Sequence, residues 1–192
     1  MNRIPSRTVV LGGARSGKSA FAERLAEASA LEVVYLATAR AGDAEMTGRI
    51  GHHRARRPAH WTTVEEPRAL AAALLHWSSP QRLVLVDCLT LWLSNLMFDD
   101  GGDFSAVGEL ALPAGFDDER SAFLNALTKA RGDVILVSNE VGMGIVPMGA
   151  VSRRFADEAG RLNQDVARRC EHAVMLVAGL PLVLKGGACW PA

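Results

Sequence analysis

The chain has 192 residues, 49% hydrophobic and 22% charged, which suits a single catalytic domain over 1–192 with a sizeable core. Its 21 basic and 21 acidic side chains cancel, so no global field favours nucleic acid or a membrane surface, and any grip on an anion must come from a local cluster. Cys88, Cys170 and Cys189 are scattered without a C-x-x-C pair, the start MNRIPSR carries no signal-like apolar region, and no run is long enough to span a bilayer, which argues against zinc or redox dithiols and for a cytoplasmic protein with reduced thiols.

In chain order, TVVLG (Thr8 to Gly12) reads as a strand that enters the glycine-rich stretch GGARSGKS, and KSAFAERLAEASA reads as the amphipathic helix after it. EVVYLAT (Glu32 to Thr38), WTTVE (Trp61 to Glu65), LVLVD (Leu83 to Asp87), DVILVSN (Asp133 to Asn139) and HAVMLVA (His172 to Ala178) read as further strands. Strands this continuously apolar need cover on both faces, and the intervals between them are long enough for crossover helices. The expectation is a doubly wound α/β fold with a mostly parallel sheet and helices on both faces. LPLVLK follows the last of these strands across AG, so it is expected to fold back as an antiparallel edge strand. Ser152 to Cys170 reads as a helix whose stripe Phe155, Ala159, Leu162, Val166 and Cys170 is core. Asp99 to Phe116, rich in glycine and acids and without sustained period, reads as a long loop, either disordered or a mobile lid.

The strand, loop and helix around Gly12, Gly13, Ala14, Arg15, Ser16, Gly17, Lys18 and Ser19 match G-x-x-x-x-G-K-S in the setting that gives the pattern meaning. Glycines let successive N–H groups turn inward onto phosphate oxygens, and the helix N-terminus adds partial positive charge. Lys18 then reaches the outer phosphates and the Ser19 hydroxyl ligates magnesium. Such a site also needs an acid at a neighbouring strand end. Asp87, closing LVLVD, fits that role, although a carboxylate there can equally cap the helix that follows. The N-K-x-D signature of regulatory GTPases is absent; the nearest phrase, SNEV, lacks its lysine and acid.

RIGHHRARRPAHW, Arg49 to Trp61, packs four arginines and three histidines into thirteen residues. That excess of cations is a candidate clamp for a polyphosphate. A neutral imidazole is a competent nucleophile toward phosphorus, and the arginines would lower its pKa while holding the charge of the phosphate under attack. Periodicity alone does not choose between His52 and His53. SNEVGMGIVP, Ser138 to Pro147, begins where a strand ends, so Asn139 and Glu140 should face the ligand crevice. Physics assigns that phrase no role beyond a turn. Trp61, Trp92 and Met143 are side chains that either a flat ligand or the core could use.

Taken together, VVLGGARSGKS, YLATA, RIGHHRARRPAHW, LVLVDCLTLWLSNL, SNEVGMGIVP and AGRLNQDVA resemble the bifunctional adenosylcobinamide kinase / adenosylcobinamide-phosphate guanylyltransferase family of cobalamin synthesis. The resemblance covers nearly the whole chain except Asp99 to Ala130, and GHHR..RP.HW followed by NEVGMGIVP is its specific part. It implies a RecA-like P-loop NTPase fold. It also implies two reactions: phosphorylation of the aminopropanol hydroxyl of adenosylcobinamide with ATP or GTP, then transfer of GMP from GTP to adenosylcobinamide phosphate with release of pyrophosphate. The guanylyl carrier it implies is the first histidine of the pair, His52, with Lys18 as the other catalytic residue. Nucleotide contacts it implies are Gly12 to Ser19, Ala37, Thr38, Ala39, Ala55, Arg56, Arg57, Pro58, Glu65 or Glu66, and Asp87, with Mg2+ held by Ser19 and Asp87. A homo-oligomer without nucleic acid or membrane partners is implied as well.

Two other readings use the same residues. A RecA-like regulatory NTPase explains the loop and Asp87 but gives the Arg and His cluster no task. A small-metabolite P-loop kinase without nucleotidyl transfer makes the histidines structural.

Overall fold

The computed structural model describes residues 5–40, 57–98 and 111–188. Their elements are β1 (Arg7–Gly12), α1 (Lys18–Ala28), β2 (Glu32–Ala37), β3 (Thr62–Glu65), α2 (Leu70–Trp77), β4 (Arg82–Asp87), α3 (Leu89–Phe98), α4 (Phe116–Lys129), β5 (Asp133–Val137), α5 (Ala150–Arg169), β6 (His172–Val177) and β7 (Leu180–Lys185). They build one seven-stranded sheet in the order β3-β2-β4-β5-β1-β6-β7. Strands β1 to β6 run parallel and β7 alone is antiparallel, paired to β6.

Alternation along the strands sends side chains to two separate cores. Val10, Tyr35, Leu85, Ile135 and Leu176 face α1, which answers with Phe21, Ala22, Leu25 and Ala26. Val9, Leu11, Leu36, Val86 and Leu136 face the opposite way, onto Leu70 and Leu74 of α2, Trp92 and Leu96 of α3, Phe123 and Leu127 of α4, and Leu162 and Val166 of α5. The expected α/β sheet with both faces covered is therefore present. Trp92 is fully buried, packs against Phe123 with ring centroids 4.9 Å apart, and satisfies its indole by donating to the Arg68 carbonyl at 2.8 Å. Trp61 is also buried. Both tryptophans are core, and among the three large side chains singled out only Met143 is exposed.

The β6–β7 hairpin turns through Ala178 (φ 52°) and Gly179 (φ 81°), the pair of left-handed residues whose twist matches that of the flanking strands. The stripe expected on α5 is interrupted by two buried polar residues, Glu158 and Asn163. Glu158 is satisfied by Arg120 of α4 at 3.5 Å and by Arg161 at 2.5 Å, as a buried carboxylate must be. Most boundaries shift by one or two residues from expectation, and two of the differences bear on the site and its surroundings. The strand predicted through Asn139 ends at Val137; beyond it Ser138 N still donates to Val10 O, while Asn139 N turns to the Thr90 side chain of α3. Phe116, predicted as loop, opens α4 and is buried; residues 99–110, where a lid or disorder is expected, lie outside the described residues. No helix among the described residues is long and apolar enough to cross a membrane.

Candidate active site

Of the described site residues, Gly12 to Ser19, Ala37 to Ala39, Glu65 and Asp87 lie at or just beyond the C-terminal edge of the sheet, where ligands bind in open parallel sheets, while Arg57 and Pro58 precede β3. The register makes this concrete: Glu65 pairs with Ala37, Ala37 with Asp87, Asp87 with Val137, and Val137 with Val10. One row thus carries the acid and the root of the glycine loop. They stand two strand spacings apart, roughly 10 Å, because β5 is inserted between β4 and β1.

The loop itself folds as its glycines require. Gly12 and Gly17 adopt φ of 148° and 96°, which a side chain would resist. A Cβ on Gly12 would also stand 2.5 Å from the Leu176 carbonyl oxygen and 2.7 Å from Ser16 Oγ. Ser16 N donates to Gly13 O at 3.3 Å and Phe21 N to Gly17 O at 2.9 Å, which starts α1. On its far side the loop is braced by the hairpin, where Gly179 N donates to Ser16 O at 3.0 Å. Lys18 is buried and curls back so that Nζ donates to Gly13 O at 2.6 Å. Burial pulls its pKa below the ordinary 10.5, while Cys88 and Asp87 act the other way. Ser16 Oγ is buried without a hydrogen-bond partner. A cradle of left-handed glycines, a desolvated ammonium and an unsatisfied hydroxyl suits an anionic ligand rich in acceptor oxygens.

Asp87 accepts a 2.7 Å hydrogen bond from the Tyr35 hydroxyl. Tyr35 is buried, and burial first, then the Asp87 charge, push its phenol well above 10.0, so it remains a donor. Arg57 lies over the same ring, its guanidinium carbon 3.5 Å from the centroid. The end of the Arg and His cluster is therefore tied to the acid through one tyrosine. The Asp87–Cys88 peptide is cis. Thr38 Oγ1 accepts from Cys88 N and donates to Cys88 O, both at 2.8 Å, while Thr38 N donates to Asp87 O at 3.2 Å and Thr38 O accepts from Asn95 at 2.8 Å. All the polar groups of Thr38 are thus engaged within the protein, and they hold the strand end that presents Asp87.

Of the other expected contacts, Ala37 and Ala39 flank Thr38 at the end of β2, with Ala37 O accepting from Glu66 N at 2.9 Å. Glu65 is exposed at the end of β3, whereas the Glu66 carboxylate accepts from Arg68 N and Ala69 N, at 3.0 and 2.8 Å, just ahead of α2. Arg57 and Pro58 line a cleft of about 350 Å³ with Ala20, Glu23, Arg24 and Glu27 of α1 and Trp61. His52, Ala55 and Arg56, with His53, Arg49 and Arg54, lie outside the described residues.

Sequence reasoning missed a buried polar network behind this edge. Asn139 N donates to Thr90 Oγ1 at 2.7 Å, Ser138 Oγ donates to Asn163 Oδ1 at 2.7 Å, and Asn163 Nδ2 donates to Asn139 O at 3.1 Å. Glu140 N then donates to Gly12 O at 3.0 Å. An asparagine four residues after Ala159, on an otherwise apolar face, was the available signal. Tyr35 had one too: it is the chain's sole tyrosine, set in a strand of apolar residues, and a buried phenol needs a partner.

Comparison with known proteins agrees with this fold. The chain is similar over 93% of its length, with a TM-score of 0.55 and 10% identity, to a prototypical ATPase from a bacterial type III secretion system, of which it spans 56%. It is also similar, with a TM-score of 0.52, 12% identity and 91% of its length covered, to the EscN ATPase of enteropathogenic Escherichia coli, spanning 43% of that chain. These likenesses show the P-loop NTPase fold. In sequence it is 56% identical over 180 residues to the bifunctional adenosylcobalamin biosynthesis protein CobP of Pseudomonas aeruginosa, covering 94% of this chain and 98% of the relative. It is 40% identical over 179 residues to the bifunctional adenosylcobalamin biosynthesis protein CobU of Escherichia coli K12, covering 92% and 98%. The family profile described as cobinamide kinase / cobinamide phosphate guanyltransferase matches residues 8–184, and the chain belongs to that family.

Proposed function

We propose that one triphosphate site on this chain serves both reactions of its family, kinase first and guanylyltransferase second. The observation that supports this is the Arg57–Tyr35–Asp87 contact, which joins Arg57, the last arginine of the cationic stretch, to the acid in the same row as the root of the phosphate loop. In the kinase step the loop amides and Lys18 hold the β- and γ-phosphates of ATP or GTP, and the corrinoid hydroxyl attacks the γ-phosphorus. The bond to the β,γ-bridging oxygen breaks and the nucleoside diphosphate leaves. Ser19, in the first turn of α1, and Asp87, whose carboxylate keeps acceptor capacity beyond the Tyr35 bond, are the residues suited to Mg2+ or its waters. When bound, the ion neutralises charge on the outer phosphates.

The second step needs attack at the α-phosphorus instead. A nitrogen of His52 forms the bond to phosphorus as pyrophosphate leaves, and the phosphate of the acceptor then displaces the imidazole, giving the GDP-linked corrinoid. Arg49, Arg54, Arg56 and Arg57 hold the departing charge. GTP labelled at the α-phosphate should leave an acid-labile, base-stable adduct on the protein; an undiminished adduct in His52→Ala overturns the assignment. Mass spectrometry of the corrinoid product separates the alternatives, since a plain kinase adds phosphate alone and a regulatory NTPase adds nothing. Ala37, Ala39, Glu65 and Pro58 complete the proposed nucleotide contacts.

We place a second copy of the chain at the β7 edge. Leu180, Leu182, Val183 and Leu184 are all exposed there, and an apolar edge strand is a template for association. Sedimentation should give a mass above 20.5 kDa, and Leu182→Lys should lower it. Buried free thiols at Cys88 and Cys170 support a cytoplasmic setting, and the neutral net charge supports the absence of a nucleic-acid partner.

A further inference from the structure

The loop that follows β5 carries an arrangement the two transfer steps leave unused. Val141, Met143, Ile145, Val146 and Met148 are 39%, 75%, 97%, 72% and 93% exposed, a density of apolar side chains on water that single scattered residues do not reach. The segment is fastened at both ends. At its start the Thr90, Ser138 and Asn163 network holds Asn139, and Glu140 Oε1 accepts from Gly142 N at 2.8 Å. At its finish Arg153 of α5 donates to the carbonyls of Pro147, at 3.1 Å, and Met148. The exposed side chains are thus offered on an anchored scaffold.

That scaffold is continuous with the nucleotide site. Glu140 N donates to the carbonyl of Gly12, the first glycine of the phosphate loop. Met143 follows three residues later, a span of at most about 11 Å. The nucleotide is served by charged and amide groups, so the apolar residues beside it have no task in holding it. The acceptor of this family's reactions is a cobinamide, a broad macrocycle with methyl- and methylene-bearing faces and an alcohol on a flexible arm. Its alcohol must come to the phosphate loop while the ring stays outside. The exposed residues of the β7 edge, Leu180 to Leu184, lie on the opposite flank of the loop, beyond the Gly179 brace.

We propose that the 141–148 loop is the platform for the corrin ring, with Met143, Ile145 and Met148 carrying the contact and Glu140 marking where the arm turns toward the phosphate. This rests on the phosphate loop being the transfer site. Peroxide footprinting of the intact enzyme, with dicyanocobinamide as probe and peptide mass spectrometry as readout, tests it. Met143 and Met148 should oxidise readily in the free enzyme, slow at least fivefold with saturating dicyanocobinamide, and be unaffected by GTP alone. In parallel, Ile145→Glu should raise the cobinamide KM of the kinase at least tenfold with the GTP KM within twofold, and turnover should recover at high cobinamide, which shows the transfer site intact. Methionines already protected in the free enzyme would assign the loop to a contact between copies and overturn the proposal. So would methionines that the probe leaves unprotected, an unchanged cobinamide KM in Ile145→Glu, or a loss of turnover that no cobinamide concentration restores.

Discussion

The hydroxyl of Tyr35, buried in β2, donates a 2.7 Å hydrogen bond to the carboxylate of Asp87 at the end of β4. The two strands are neighbours, and Tyr35 precedes by two residues the Ala37 that pairs with Asp87. The phenol therefore fixes the rotamer of the acid from below while its ring supports Arg57. Tyr35→Phe keeps the ring and deletes the donor. Losing a hydrogen bond to a charged group is expected to cost about 1.5–3 kcal/mol, read as a lower urea midpoint. The Mg2+ concentration for half-maximal kinase activity should rise several-fold, and an unchanged Mg2+ requirement would remove Tyr35 from the positioning role.

Asp87→Asn tests the acid itself with little change of shape. The amide can still accept from Tyr35, so folding should be nearly preserved, whereas the kinase rate should fall by about 10²-fold or more if charge at this position stabilises the transferring phosphate. A rate within a few-fold of the parent would reduce Asp87 to a structural acid.

Lys18 is held in a desolvated position that lowers its pKa from 10.5. A base with a depressed folded pKa is bound to fewer protons than the unfolded chain between that value and 10.5, so its stability penalty is fully present below the folded pKa and is relieved as pH rises through it. Bound phosphate reverses the depression, and nucleotide binding should therefore take up protons at alkaline pH. Titration calorimetry in buffers of different ionisation enthalpy measures this uptake. Lys18→Met should abolish it, leave the nucleotide-free protein no less stable at pH 7, and cost about 10²-fold or more in transfer.

Cys88 and Cys170 are pushed up to about 12 by burial, from 9.0. The unfolded thiols lose their protons first as pH rises through 9, so the folded state loses stability above that point, by up to about 1.4 kcal/mol per pH unit for each thiol. Lys18 works in the opposite sense below 10.5, which makes a single-site comparison necessary. Urea unfolding of Cys170→Ala at pH 8 and pH 10 should show a smaller alkaline loss than the parent, despite a lower starting stability from the cavity. Equal losses would place the alkaline sensitivity elsewhere.

Gly12→Ala places a methyl 2.5 Å from the Leu176 carbonyl at a φ of 148°. Backbone lies on that side, so relief requires β1 and β6 to part. A loss of more than about 2 kcal/mol is expected, with nucleotide affinity falling alongside; a variant as stable as the parent by calorimetry would contradict the geometry.

What could be read from the chain was whatever repeats locally. Apolar runs such as LVLVD and DVILVSN announce a covered parallel sheet, and GGARSGKS between a strand and a helix announces its own function, because in each case the physical requirement is met by consecutive residues. The partners across the fold were not legible. Nothing near Tyr35 in sequence reveals that Asp87, 52 residues later, is its acceptor, nor that Asn163 reaches Ser138 across 25 residues. Such pairs exist only once strand order is set, and order is a property of the whole sheet. The proposed carrier histidine falls the other way: resemblance implies His52, while spacing left it level with His53.

Strand order also dictates when the catalytic edge comes into being. The glycine loop ends at Ser19 and Asp87 emerges next, yet the row that joins their strands is closed by β5, whose last residue is Val137, and the brace on Ser16 comes from Gly179. A chain emerging from the ribosome therefore carries its phosphate-binding motif for nearly the whole of synthesis before it can use it. Triphosphate affinity should arise abruptly with the C-terminal hairpin, so that nascent chains ending before β6 fail to hold nucleotide however complete their motif.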